Sequence, residues 1–141
     1  MNILLIDDDY LLAKGSGKLI ERLGGHHMTI TDEPKEIFRL CKAGEIDLIL
    51  MDVNLPGALW ENEEISGADL AKLLKKDPKT AHIPIILVTA YARSSERNSL
   101  LLTSGADDLI TKPITNYEAL LKLIDRLYHK SKTKHESDEF C

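Results

Sequence analysis

A chain of 141 residues with 18 Lys and Arg against 23 Asp and Glu, a formal net charge of −5, is long enough for one domain with a buried core and too short for a second of ordinary size. The acidic balance speaks against a nucleic-acid surface, and the two cysteines, Cys41 and Cys141, have neither zinc-site spacing nor a disulfide pattern, which fits a reducing, cytoplasmic setting. No signal peptide precedes the first strand, and no apolar run approaches the roughly 20 residues that would span a bilayer.

Asn2 to Ile6 is a short apolar run closed by Asp7-Asp8-Asp9, which predicts a buried strand delivering carboxylates at its carboxyl end. Tyr10 to Leu23 carries Leu12, Leu19, Ile20 and Leu23 at helical spacing and stops at Gly24-Gly25. Inside it, Gly15-Ser16-Gly17-Lys18 looks like a fragment of a phosphate loop. The nucleotide motif, however, needs Gly where Leu12 stands and Ser or Thr where Leu19 stands, so that reading is rejected. His27 to Thr31 is a weaker strand, and Pro34 opens a helix to about Ala43, with Asp32 or Glu33 near its cap. His26-His27 reads as a surface pair, because neighbouring strand residues face opposite ways, and Cys41 as a core thiol.

Asp47 to Met51 is the central strand, continuously apolar after its first residue, with Asp52 at its carboxyl end before the Pro56-Gly57 break. Ser66 caps a helix through Lys76, whose apolar face is Leu70, Ala71, Leu73 and Leu74. Ile83 to Val88 is another buried strand, running into Thr89-Ala90. Ser94 to Ser104 reads as a helix closed by Gly105, followed by a short strand, Asp107 to Thr111. Thr115-Asn116-Tyr117-Glu118 is a capping box opening a last helix to about Lys130. Ser131 to Cys141 is polar and charged, and is expected to be a disordered tail; Lys130, Lys132 and Lys134 are followed by acids and read as solvated.

Strand and helix thus alternate five times, which predicts a doubly wound parallel α/β sheet with helices on both faces. Ligands of such sheets lie beyond the carboxyl ends of the strands. Those ends supply Asp7, Asp8, Asp52, Thr89 and Lys112. Three converging carboxylates cannot all stay ionised without a cation, since each like charge raises its neighbours' pKa. Oxygen-only ligands with room for water favour Mg²⁺ over zinc, with Mn²⁺ as the substitute. With the metal in place Asp52 can act as nucleophile towards a phosphoryl group, giving an acyl phosphate. Lys112 can pair with the phosphoryl oxygens and the Thr89 hydroxyl can hydrogen-bond to one of them. Pro113 makes the bond after Lys112 one that can be cis, which would fix the turn aiming that side chain inwards.

Ile3 to Asp9, Asp52-Val53-Asn54-Leu55-Pro56, Val88-Thr89-Ala90 and Gly105-Ala106-Asp107-Asp108 to Lys112-Pro113, in that order and at strand ends, resemble the response-regulator receiver domain of two-component signalling, over residues 1–130. The resemblance implies a flavodoxin-like five-stranded sheet of order 2-1-3-4-5. It also implies that Asp52 takes phosphate from a phosphohistidine on a sensor histidine kinase or a histidine phosphotransfer protein. Asp8, Asp52 and the Asn54 backbone carbonyl would bind Mg²⁺, with Asp7 acting through water. A downstream protein would read the phosphorylated state, with no nucleic acid or membrane contacted directly.

Two departures from the family pattern stand out. An aromatic ring usually sits three residues before the lysine; here Leu109 does, without ring or hydroxyl, which puts the usual readout in question. Tyr91, two residues after Thr89, either lies over the site and slows hydrolysis or is a surface tyrosine. The second departure is an insertion at about 57–66, after the third strand, where the family's next helix usually begins soon after the proline. Its Leu59, Trp60 and Ile65 are too apolar for an idle loop, and Glu61, Glu63 and Glu64 supply charge. Either Trp60 folds back on the domain, or the insertion is a lid or partner-docking element.

A phosphoacceptor that signals by partner binding competes with a phosphorelay intermediate or phosphate sink, which Leu109 favours because a shuttle needs less conformational readout. An aspartyl-phosphate hydrolase of small substrates would need an acid two residues after the nucleophile, and Asn54 cannot serve. A scaffold with a dead site is disfavoured by the presence of every acid and the lysine. The last helix carries Leu120, Leu121, Ile124 and Leu127, which leave room for a homodimer through the faces beside it.

Overall fold

The computed structural model describes residues 1–90 and 93–139, with 133–139 as backbone only. Five strands, β1 (Asn2–Ile6), β2 (His27–Thr31), β3 (Leu48–Asp52), β6 (Ile85–Thr89) and β7 (Asp108–Thr111), form one parallel sheet in the order β2-β1-β3-β6-β7. Counting only these strands, that is the flavodoxin-like 2-1-3-4-5 order. Five helices accompany them: α1 (Tyr10–Gly24), α2 (Pro34–Lys42), α3 (Gly67–Lys76), α4 (Ser94–Ser104) and α5 (Tyr117–Glu139).

Alternation along the strands divides the core into two layers. Leu4, Ile6, Ile49, Met51, Ile85 and Leu87 face one cluster with α2 and α3, while Ile3, Leu5, Leu48, Leu50, Ile86 and Val88 face the other with α1 and α5. β1, β3 and β6 are flanked by strands on both sides, so Asp7, Asp52 and Thr89 at their carboxyl ends are anchored to strands paired along both edges. Cys41 lies in the first cluster, and burial pushes its thiol up to about 12. Since the thiolate is the reactive species, Cys41 will resist Ellman's reagent in the folded chain at mildly alkaline pH and react at once in guanidinium, as peptide mapping will show. The raised folded value also means that stability falls as pH climbs past the ordinary thiol range, because only the unfolded thiol then ionises freely.

Several boundaries differ from the expected ones, each for a local reason. β6 begins at Ile85 because Pro84 has no N–H; its carbonyl accepts from Ile49 N at 2.9 Å. Gly25 and Gly105 take the left-handed conformation that closes α1 and α4. The capping box expected at Thr115 is replaced by Asn116, whose side chain accepts from Ala119 N at 2.9 Å. α5 runs on to Glu139, so the segment after Lys130, expected to be disordered, is helical over 131–139. The insertion folds into an antiparallel hairpin of β4 (Leu59–Trp60) and β5 (Glu63–Glu64), turning through Glu61 and Asn62 at positive φ.

Candidate functional site: an acidic cluster with one lysine

β1 and β3 are neighbours in register, Ile6 opposite Met51, so the acids following them meet at one edge of the sheet. Asp7, Asp8 and Asp52 each offer a carboxylate oxygen, and these atoms lie within 4.8 Å of one another. The three consecutive acids after β1 divide the work. Asp9 caps α1, its Oδ1 accepting from Leu12 N at 3.2 Å, while Asp7 Oδ1 accepts from Asp9 N at 2.9 Å and holds the turn. Asp8 is exposed and has its carboxylate in the cluster.

Asp52 is only 5% exposed. Its Oδ1 accepts from Asn54 N at 3.1 Å and its Oδ2 from Lys112 Nζ at 2.6 Å; the same ammonium donates to Asp7 Oδ2 at 3.1 Å. Burial pushes the Asp52 carboxyl above its ordinary range. The Lys112 and Asn54 hydrogen bonds offset only part of that rise, and the neighbouring Asp7 charge adds to it. Burial works to lower Lys112, but its hydrogen bonds to Asp52 and Asp7 outweigh it and hold the ammonium above its usual value.

Lys112 is placed by backbone: its N–H donates to the Thr89 carbonyl at 2.8 Å, continuing the β6–β7 ladder by one residue beyond Thr111, and the Lys112–Pro113 bond is cis. Thr89 itself ends β6, buried at the same edge. The structure therefore brings together Asp7, Asp8, Asp52, Thr89 and Lys112 at the carboxyl edge, with Asn54 on the loop that follows Asp52. Leu109 faces inwards, 1% exposed and opposite Leu87 in the sheet. Trp60 folds back on the domain, its ring centroid 4.4 Å from that of Phe38 in α2. Tyr91 lies outside the described residues.

Sequence reasoning missed the contact behind the acid. Gly67, the first residue of α3, sits so close to the end of β3 that a Cβ there would lie 1.9 Å from the Asp52 carbonyl oxygen. Its N–H donates to the Val53 carbonyl at 2.8 Å, and Ser66 and Asp69 form a reciprocal capping pair around it. The Ser-Gly pair at a helix start was the available signal.

Chemically, three carboxylate oxygens this close together suit a small, hard cation, and the cluster could hold one. A profile of the response regulator receiver domain matches residues 3–125. The polar-differentiation response regulator DivK of Brucella ovis is 33% identical over 114 residues, 81% of this chain and 85% of that protein. A gliding motility regulatory protein of Myxococcus xanthus is 32% identical over 90% of this chain, which spans 15% of that longer protein. Among solved structures, the signal receiver domain of a signal transduction histidine kinase from Syntrophus aciditrophicus superposes with a TM-score of 0.74 at 29% identity, covering 92% of this chain and 90% of that one. With the receiver-domain profile spanning residues 3–125 and a relative 33% identical over 85% of its own length, the chain belongs to the response regulator receiver domain family.

Proposed function

We propose that Asp52 accepts a phosphoryl group from the phosphohistidine of a sensor kinase or histidine phosphotransfer protein, and that the phosphorylated chain signals by binding a downstream protein in the cytoplasm. The observation that carries this reading is the Lys112 ammonium held between Asp52 and Asp7 inside the three-acid cluster. A carboxylate oxygen of Asp52 attacks phosphorus in line as the P–N bond to the donor imidazole breaks, leaving an acyl phosphate on Asp52 and the imidazole to take up a proton. Lys112 then exchanges its bond to Asp52 for one to a phosphoryl oxygen, and the Thr89 hydroxyl donates to another. Mg²⁺, or Mn²⁺ in its place, held by Asp8, Asp52 and the Asn54 carbonyl with Asp7 acting through water, would supply charge neutralisation for the crowded oxygens. The chain is in this reading a signalling protein that assists its own phosphorylation and dephosphorylation rather than an enzyme acting on a separate substrate. No described helix is long and apolar enough to cross a membrane.

Phosphate-affinity electrophoresis after incubation with acetyl phosphate tests the reading. A retarded band that needs both Mg²⁺ and Asp52 is expected; a band that persists in chelator, or no band with any donor, overturns it. Lys112→Met is expected to slow labelling roughly a hundred-fold, the usual scale for losing one group that stabilises transferring charge. Initial rates on the same gels will measure it.

A phosphorelay intermediate or phosphate sink is the second reading, and Leu109 favours it. Packed against the core with no ring to reorient, it offers less of a surface signal than the family's aromatic residue does.

A further inference from the structure

The hairpin and the start of α2 enclose a cleft of about 660 Å³ that runs up to Asp8. Its lining sets four carboxylates, Asp8, Asp32, Glu33 and Glu61, against one cation, Lys35. Among the described residues none of the four has a cationic partner within 4.0 Å. The amino end of α2 adds about half a positive charge, too little to reverse the balance. Three of the acids, Asp32, Glu33 and Glu61, lie outside the Asp7-Asp8-Asp52 cluster, so the cleft stays negative when that cluster is neutralised. The walls are apolar between the charges: Trp60 lines the cleft, and Leu59 stands 54% exposed at its rim.

The cleft is also held in shape. Trp60 packs on Phe38, Ala58 N donates to the Leu55 carbonyl at 3.1 Å, and Ile65 N donates to the Ala58 carbonyl at 3.0 Å. A preformed concave surface of this size, negative and partly aromatic, fits a guanidinium or ammonium on an aliphatic stem better than an anion or a neutral ligand. One feature says whose side chain it is. Asp8 belongs both to the cleft and to the acidic cluster, so an occupant lies beside Asp52, where the group that delivers a phosphoryl must also approach.

We propose that this cleft docks a short basic segment, with aliphatic residues between its cations, of the protein that delivers the phosphoryl group. The inference rests on the phosphoacceptor reading for the identity of the partner, though not for the chemistry of the cleft. The hairpin then selects among protein donors while leaving small donors indifferent, because acetyl phosphate can reach Asp52 without touching Glu33 or Glu61.

The test pairs a binding measurement with a transfer measurement on the full chain and on the charge-reversed variant Glu33→Lys/Glu61→Lys, its fold checked by circular dichroism. Trp60 is the only tryptophan, so its emission reports titration with the tryptophan-free peptide acetyl-Leu-Arg-Leu-Arg-Leu-amide and with its Glu-for-Arg counterpart. The basic peptide is expected to give a saturable, salt-sensitive change in the wild type, about ten-fold weaker in the variant, and the acidic peptide no change. Transfer from the sensor kinase that labels the wild type fastest in a panel is expected to fall about ten-fold in the variant, while labelling by acetyl phosphate stays the same. Equal responses to the two peptides, or equal binding by the two proteins, would overturn a charge-selected cleft. Kinase transfer unchanged by the double reversal would rule out the donor as occupant. If neither acetyl phosphate nor any kinase in the panel labels the wild type, the phosphoacceptor reading falls, and the peptide titration still decides the chemistry of the cleft.

Discussion

Asp52→Asn will show no retarded band with acetyl phosphate under any metal condition, and its metal-free fold will be more stable than the wild type. The first outcome follows because an amide is not a nucleophile towards phosphorus and, among the described residues, no other buried carboxylate lies at the edge of β3. The second follows from electrostatics. Burial raises the Asp52 carboxyl in the folded chain above its unfolded value, so its ionised form opposes folding at every pH above the ordinary carboxylate range. Asparagine fills the same space, keeps an oxygen for the Asn54 N–H, and leaves Lys112 its bond to Asp7. A gain of about 1 kcal/mol, or roughly 3 °C in Tm, is expected near neutral pH. The sign can be checked by titration. As pH falls through the carboxylate range Asp52 becomes neutral in the wild type too, and the gap between the two proteins will close; Mg²⁺ at neutral pH will narrow it from the other side by stabilising the wild type alone.

Gly67→Ala is the second large effect expected, from a residue that touches no ligand. The added Cβ would meet the Asp52 carbonyl oxygen at 1.9 Å, the Asp52 carbonyl carbon at 2.8 Å and Met51 Cγ at 3.0 Å. Most of that is backbone of a strand paired on both sides, so it cannot yield, and α3 must lift away instead. Lifting it breaks the Gly67–Val53 hydrogen bond and strains the Ser66–Asp69 cap. The cost should be about 3 kcal/mol in denaturant unfolding, the range of an overpacked core position. Because the displaced segment adjoins the phosphoacceptor, labelling of whatever remains folded should slow at least about ten-fold. Gly15→Ala is the control: in the exposed interior of α1 a Cβ meets nothing within 4 Å, so it should raise stability by about 0.5–1 kcal/mol and leave labelling unchanged.

Much of this site could be read before any coordinates, because a continuously apolar strand announces its own end. The first polar residue after Ile6, Met51 or Val88 has to emerge at the sheet edge, and those residues are Asp7, Asp52 and Thr89. The hairpin was not legible for the opposite reason. Two-residue strands are too short to show alternation, and the turn residues Glu61 and Asn62 take positive φ without the glycine that usually marks such a turn. The continuation of α5 was hidden because 131–139 has no apolar stripe, and a stripe is what separates a helix from a solvated tail in a sequence. Gly67 was legible only as part of the Ser66-Gly67 pair at a helix start, because the sequence shows the absence of a side chain but not what lies against it.

The self-closing stem of the hairpin has a consequence for how this protein could have diverged. Ala58 and Ile65 are already joined by a hydrogen bond of 3.0 Å, so the chain enters and leaves the hairpin at nearly one point. Lengthening or shortening what lies between them changes the closure entropy by only about 0.6 kcal/mol per doubling. Apart from Trp60, whose ring packs on Phe38, the six residues between that pair are thus a transplantable cassette: they can be exchanged between relatives without asking the sheet beneath to refold.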